Sequence, residues 1–249
     1  MKPRYKLPDF LVAGFQKCGT TALRHNLGTH KCISIAKCNN DISGEFNFFR
    51  VGSQQNTFDN GIDWYKSHFS NDGNVWGEVS PNYAFEPEKT ATKISEINSN
   101  VKIIFSIRNP VDRAYSAYNH AMQLYNETNK TWSPNYDPTK SFLENIQEYN
   151  SFYLNYASVL RIYQKVLTRE QILVVSQEKL NNNKESKKEY AKIGKFLGVP
   201  DGQFSNKKVH VRNKPRMLTK TEIDFMKNKY KDQNQDLFDW LGYEIKSWL

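Results

Sequence analysis

The sequence predicts an α/β protein, a single domain over 1–249 built on a P-loop-like central parallel sheet with helices on both faces. Three observations predict it. Short apolar runs alternate with longer segments of three- and four-residue apolar spacing, the pattern of strand–helix units that feed a parallel sheet. The run Phe10-Leu11-Val12-Ala13 passes directly into Gly14-Phe-Gln-Lys-Cys-Gly-Thr-Thr21, a strand that breaks at glycine and opens a helix near Thr20. A second strand ends in Arg108-Asn109-Pro110, where asparagine suits a helix N-cap and proline the first helical turn.

Element by element, apolar runs predict strands at 9–14, 75–79, 101–107 and 171–176. Helical spacing predicts helices at 20–29, 62–69, 87–98, 110–125, 140–149, 152–167, 186–197 and 220–230, with a short one near 234–241. Residues 126–139 are polar and aperiodic and read as an exposed loop, a common seat of specificity. No repeat, low-complexity segment or linker divides the chain.

The bulk composition narrows the function classes. A chain of 249 residues, 38% hydrophobic and 14% aromatic, can build a sizeable core rich in Phe and Tyr. A net charge of +9 calls for an anionic partner, a nucleotide, acidic polysaccharide, nucleic acid or membrane surface, without choosing among them. A mean hydropathy of -0.74 and the absence of a long apolar run predict no membrane span. The basic start, Met1-Lys2-Pro3-Arg4, has no apolar stretch behind it and predicts no signal peptide. Cys18, Cys32 and Cys38 are odd in number and lack metal-ligand spacing; free thiols in a reducing, cytoplasmic setting are expected, a trimmed luminal domain being the alternative. The Asn-x-Thr sequons at Asn126 and Asn129 then carry no glycan.

The first chemical motif is the 14–21 loop. A strand-to-helix junction offers free backbone N–H groups and a positive dipole end to an anion. It nearly matches the P-loop pattern G-x-x-x-x-G-K-[ST], but Thr20 stands where the lysine belongs and Lys17 sits three residues earlier. A nucleoside triphosphatase needs that lysine on the β/γ-phosphates, so a different phosphorylated donor is expected.

The second motif follows strand 101–107. In the helix after Pro110, Val111, Ala114, Tyr115, Tyr118, Met122 and Tyr125 recur at three- and four-residue spacing and predict one buried face. Asp112, Ser116 and His120 line the other. Arg108 stands at a strand's C-terminal end, where open α/β sheets bind ligands. Pro110 to Ser116 rises about 9 Å, so a phosphate held by both Arg108 and Ser116 must lie beside the helix and not at its tip.

Together, Gly14-Phe-Gln-Lys-Cys-Gly-Thr-Thr21 and Ile107-Arg-Asn-Pro-Val-Asp-Arg-Ala-Tyr-Ser116 resemble the two donor-binding motifs of the sulfotransferases that use 3′-phosphoadenosine 5′-phosphosulfate. The likeness is to the heparan-sulfate-type branch, the glucosaminyl N- and 3-O-sulfotransferases. Gly44-Glu-Phe-Asn-Phe-Phe49 resembles its Lys-Glu-x-x-Phe-Phe segment, and Glu78-Val-Ser-Pro-Asn-Tyr83 its Ser-Pro-x-Tyr segment. Gln171-Ile-Leu-Val-Val175 and Phe196-Leu-Gly-Val199 extend the likeness over about the whole chain.

The resemblance implies residue roles. Lys17 would neutralise charge on the oxygen bridging phosphorus and sulfur. Lys17, Cys18, Gly19, Thr20 and Thr21 would cradle the 5′-phosphate, through the backbone N–H groups of the last three and the threonine hydroxyls. Arg108 and Ser116 would hold the 3′-phosphate, the arginine with two prongs. Glu45 would take the acceptor's proton, in an apolar setting supplied by Phe46, Phe48 and Phe49. His120 would be a second acid/base or a charge stabiliser. The product would be adenosine 3′,5′-bisphosphate, and no metal is implied. The acceptor implied is a hydroxyl or amine on a carbohydrate, such as an acidic polysaccharide, with no nucleic acid.

Residues 206–220 form a third basic segment without an acid. It resembles a Lys-Gly-Arg-x-x-Pro loop that closes over the donor: aligning on Pro215 puts Arg212 on the arginine and makes it a donor contact. His210 and Val211 then replace the lysine and glycine, and valine resists the positive φ that glycine allows, so the backbone there must differ. Trp64 and Trp132 are candidates for sugar stacking or for the core. Two other classes fit the basic charge and the loop: a P-loop nucleotide kinase, and a non-catalytic module binding polyanions through 206–220.

Overall fold

The computed structural model describes residues 4–39, 43–52, 56–131, 136–149, 154–207 and 216–248. Five strands, β1 (Phe10–Gly14), β2 (Ile33–Ile35), β3 (Val75–Val79), β4 (Lys102–Ile107) and β5 (Ile172–Ser176), form one sheet in the order β2-β3-β1-β4-β5. Every pairing is parallel. The helices are α1 (Thr20–Leu27), α2 (Ile62–Lys66), α3 (Pro87–Ile97), α4 (Pro110–Thr128), α5 (Phe142–Tyr149), α6 (Tyr156–Gln164), α7 (Gln177–Asn181), α8 (Ser186–Leu197) and α9 (Lys220–Leu241). Backbone proximity divides the chain into two compact units, Met1–Ile107 with Val159–Val211, and Arg108–Ser158 with Arg212–Leu249.

The first unit holds the sheet. β1 is its middle strand and all five of its residues are buried, as a doubly covered parallel strand requires. On one face, Phe10, Val12, Ile104, Leu173 and Val175 meet Leu23 and Leu27 of α1 and Ile193 and Leu197 of α8. Phe105, one residue out of step on β4, faces Phe15 and Tyr163, each with ring centroids 5.0 Å away. Helical residues thus cover both faces, as predicted. Gly77 on β3 leaves room for Phe10: a Cβ there would fall 2.4 Å from that ring.

The second unit is helical. Val111, Ala114, Tyr115, Tyr118 and Ala121 of α4 form a core with Tyr136, Phe142, Ile146, Met226 and Tyr230, flanked by Met122 and Tyr125. This is the face that the spacing predicted. Asn109 caps α4 by accepting from the Val111 amide at 3.0 Å, with Pro110 in the first turn. Thr219 and Glu222 form a capping box that starts α9. Arg216, from the basic segment, bonds the Glu222 carboxylate with both Nη atoms.

Four elements differ from expectation. β2 is only three residues long, Ile-Ser-Ile, too short to stand out as a strand before its pairing to β3 is known. The two helices expected at 220–230 and 234–241 are one, α9. The polar stretch between them contains neither Gly nor Pro, and Tyr230, Asn234, Leu237 and Phe238 carry a buried stripe through it. α4 runs to Thr128, into the expected loop, and stops where Asn129 takes a left-handed conformation at φ 54. The short helix α7, capped by Ser176, was not expected. Among the described residues no helix is long and apolar enough to cross a membrane.

Candidate active site

The C-terminal edge of the sheet gathers the polar loops. β1 lies between β3 and β4, and its connection runs toward β2 while that of β4 runs toward β5. Adjacent strands whose connections part in this way leave a crevice at their carboxyl ends. The loop after β1 opens there. Phe15 N donates to Ser106 O at 3.0 Å, Cys18 N to Phe15 O at 3.1 Å, and Ser106 Oγ to Cys18 O at 2.7 Å, so β4 braces the loop. Lys17 and Gly19 both have positive φ, 66 and 79. Gly19 is required twice over, because a Cβ would also meet the Gln177 side chain at 2.9 Å.

Gly19 is the N-cap of α1, and a glycine has no side chain to cap with. The first turn of α1 contains no acid. The helix's first backbone bond here runs from Leu23 N to Gly19 O, at 3.0 Å. The amides of Thr20, Thr21 and Ala22 precede it, the groups that a helix start offers to an anion. Thr20 is buried, Thr21 exposed and Lys17 half-buried.

Glu45 lies between β2 and β3 on a segment anchored at almost every residue. Arg24 of α1, itself buried, donates to Ser43 O and to Val79 O. Gly44 has φ 71, and a Cβ there would stand 3.2 Å from Arg24 Nη1. Cys38 N donates to Gly44 O at 3.2 Å, and Thr57 Oγ1 to Phe46 O at 2.8 Å. Ser80 Oγ accepts from the amides of Phe46 and Asn47, both at 3.1 Å. The side chain of Glu45 accepts from Asn82 Nδ2 at 3.1 Å, and Asn82 Oδ1 accepts from Gln16 Nε2. The base candidate and the 14–21 loop are thereby joined through one asparagine.

The phenylalanines expected to give Glu45 an apolar setting belong to an aromatic cluster. Phe46, Phe48 and Phe49 are buried, but their rings meet other rings: Phe46 meets Trp64, Tyr65 and His68, Phe48 stacks on Tyr65 at 4.1 Å, and Phe49 meets Tyr83. The phenylalanines build the floor under the segment, while the carboxylate itself has a polar neighbour. Trp64 is half-buried, and its ring meets Phe46 and His68 of the same cluster.

Beneath lies a second carboxylate, Glu78, in the middle of β3 and fully buried. It accepts from Ser80 Oγ at 2.5 Å, Tyr83 OH at 2.6 Å and Tyr65 OH at 3.0 Å. Burial pushes its carboxyl above the ordinary range, and the three hydroxyls pull it partly back. Beside the same carboxylate, burial pushes both tyrosines well up.

In the second unit, Arg108 opens the segment. Its guanidinium stands 3.9 Å from Asp112, and its carbonyl accepts from Tyr156 OH at 2.9 Å. Ser116 and His120 follow at four-residue steps on α4, both half-buried, with Asp112 on the same line. His210, Val211, Arg212 and Pro215 lie outside the described residues, as does Trp132. Among the described residues no group of His, Cys, Asp and Glu is placed to hold a metal ion.

Sequence reasoning singled out Lys17, Glu45 and Arg108 but gave no role to Gln16, Glu78, Ser80 or Asn82. The signal was present for the last three. A glutamate inside a strand, followed by Val-Ser-Pro-Asn-Tyr, is a polar interruption at a sheet's carboxyl edge.

Comparison with known proteins agrees with this geometry. Residues 7–239 match the family model described as the sulfotransferase domain. Heparan sulfate glucosamine 3-O-sulfotransferase 5 of Homo sapiens is 31% identical over 205 residues, covering 78% of this chain and 54% of that protein. Bifunctional heparan sulfate N-deacetylase/N-sulfotransferase 1 of Caenorhabditis briggsae is 35% identical over 117 residues, covering 47% of this chain and 13% of that protein. The chain therefore spans about half the length of the first relative, 54%, and far less of the second, 13%. Among solved structures, the crystal structure of a sulfotransferase from Alicyclobacillus acidocaldarius superposes with a TM-score of 0.72 at 24% identity, covering 98% of this chain and 99% of the other. The sulfotransferase domain from the curacin biosynthetic pathway gives 0.56 at 15% identity, over 97% and 99%. These two share the fold. With the family model running from residue 7 to residue 239, the chain belongs to the sulfotransferase domain family.

Proposed function

We propose that this chain is a sulfotransferase that takes its sulfuryl group from 3′-phosphoadenosine 5′-phosphosulfate and places it on a hydroxyl or amine of a carbohydrate, with Glu45 as base. The observation that carries the proposal is the row Gln16–Asn82–Glu45, which ties a carboxylate to the loop that bears Lys17.

The loop suits the 5′ end of such a donor. Its N-cap is glycine, its helix start lacks an acid, and a lysine stands at its apex. When bound, the donor supplies the sulfuryl group and departs as adenosine 3′,5′-bisphosphate. Lys17 would offset the charge that grows on the departing phosphate oxygen. The amides and hydroxyls of Thr20 and Thr21, with Cys18 and Gly19, would hold the 5′-phosphate in place. Arg108 and Ser116 would take the 3′-phosphate, and Arg212 would add a further cation. Glu45 would accept the acceptor's proton, and His120 would serve as a second acid/base or stabilise charge. Positioning and charge stabilisation dominate transfers of this kind, so a rigidly anchored base segment is what the chemistry asks for.

A carbohydrate acceptor is supported by relatives named for heparan sulfate and glucosamine. The net charge of +9 would steer an acidic polymer toward the protein. The test is a screen with donor labelled in the sulfuryl group, across glycans, phenols, steroids and peptides. Label appearing in a glycan supports the reading; label passing only to phenols, steroids or peptides overturns the acceptor, and no transfer from this donor overturns the whole.

A further inference from the structure

The hydrogen-bonded row Gln16–Asn82–Glu45 has its polarity set from one end. A carboxylate can only accept. Asn82 therefore turns its amide nitrogen to Glu45, at 3.1 Å, and its carbonyl oxygen the other way. Gln16 meets that oxygen with its own amide nitrogen. A protonated Glu45 could still accept through its carbonyl oxygen, but the bond from Asn82 is stronger to the charged carboxylate, so it favours the ionised form. The row as arranged suits the ionised carboxylate.

Asn82 is well placed to enforce this. It is buried at 5% exposure. It lies on the 3-10 turn Pro81–Ala84 directly after β3. Tyr83 N donates to Ser80 O at 3.1 Å and Phe85 N to Asn82 O at 3.0 Å, which closes the turn. The next residue, Tyr83, is locked by its hydroxyl on Glu78 at 2.6 Å. Gln16, at the other end of the row, is the residue before Lys17.

We propose that Asn82 is a positioning residue that aims Glu45 and holds it ionised, and that Gln16 joins this device to the donor loop through Asn82. The inference rests on the reading of Glu45 as the base. Its consequence is that the donor loop and the base form one hydrogen-bonded unit.

Three variants test it in the full chain. Asn82→Leu removes both bonds at similar volume. Asn82→Asp keeps the shape but presents an acceptor to an acceptor. Gln16→Met removes only the outer bond. For Asn82→Leu, kcat should fall about 10- to 100-fold with donor KM within about threefold, and the acid limb of the pH–rate profile should move up by about one pH unit. The limb should move further in Asn82→Asp and less in Gln16→Met. The double variant Glu45→Gln/Asn82→Leu should be no slower than Glu45→Gln alone, because the two residues act as one unit. An acid limb that stays in place, or losses that multiply in the double variant, overturns the inference. Should Asn82→Leu fail to fold, the isosteric Asn82→Asp and the loop variant Gln16→Met give the same readout. Full activity in Glu45→Gln would sink the base reading itself. Inactive Glu45→Gln with an unmoved limb in the other variants would sink only the role of Asn82.

Discussion

The Ser80 hydroxyl donates to the buried carboxylate of Glu78 at 2.5 Å and, on its acceptor side, meets the amides of Phe46 and Asn47. One hydroxyl thus links the sheet to the backbone immediately after Glu45. Ser80→Ala leaves two buried amides without their acceptor, which should cost about 1–3 kcal/mol of stability. The loosened segment should also lower kcat by about tenfold or more. Urea unfolding with steady-state kinetics checks both, and Ser80→Thr should recover part of each loss. An alanine variant as stable and as fast as the parent would deny the link any weight.

Glu78 should make the protein lose stability as pH rises out of the ordinary carboxylate range. Its carboxyl is held above the ordinary 4.5. Between that value and its folded value, the folded chain keeps a proton that the unfolded chain has released. Stability from this group is therefore full below 4.5 and declines as pH rises through the folded value. Glu78→Gln does not titrate, so the parent's advantage over this variant should shrink as pH rises above 4.5. Denaturation midpoints across that range decide it; a constant difference would contradict the assignment.

Gly77→Ala should be among the costlier single changes in the sheet. The added Cβ would stand 2.4 Å from the Phe10 ring, which is fully buried in the sheet core. Overpacking of this kind typically costs about 1–3 kcal/mol. Phe10→Leu in the same background should return part of the loss, as thermal unfolding would show. Equal stability of the single variant and the parent would mean that the ring is free to move.

The Arg216–Glu222 pair gives the opposite pH signature. The Arg216 guanidinium holds the Glu222 carboxyl at about 2, below its ordinary 4.5, with help from Thr219. The stabilisation is present above 4.5 and is lost as pH falls toward about 2. Arg216 is 45% exposed and solvent screens the pair, so Glu222→Gln should cost only about 1–2 kcal/mol near neutral pH, much of it from the capping box. The gap between parent and variant should close on acidification. A gap that persists in acid would assign the effect to packing.

Much of the sheet was legible because its strands announce themselves. Phe10 to Gly14 and Lys102 to Ile107 are apolar runs that end in polar punctuation, and Asn109-Pro110 marks a helix start without ambiguity. β2 escaped notice because three residues carry no period of their own; only the β3 edge makes them a strand. α9 was split because the polar residues Lys231 to Gln233 look like a break, whereas burial of Tyr230 and Leu237 on either side overrides weak propensity. In the site, the spacing of the glycine loop singled out Lys17, and the family resemblance of the segment 44–49 singled out Glu45. Asn82 and Gln16 were not, because they lie 66 residues apart in sequence and meet only when β1 and β3 pair. Spacing also placed Phe46, Phe48 and Phe49 beside Glu45 in the chain, but could not show that their rings belong to the Tyr65 cluster.

The most direct test of the account is calorimetry with adenosine 3′,5′-bisphosphate on the parent, Lys17→Ala and Arg108→Ala. The account predicts micromolar-range binding to the parent without added metal. Arg108→Ala should weaken it by about 10- to 100-fold, the worth of a charge-assisted arginine–phosphate contact. Lys17→Ala should weaken it less than it lowers turnover, because its best interaction forms as the sulfuryl group departs. A parent that does not bind this nucleotide, or an Arg108→Ala variant that binds it as tightly as the parent, would contradict the account.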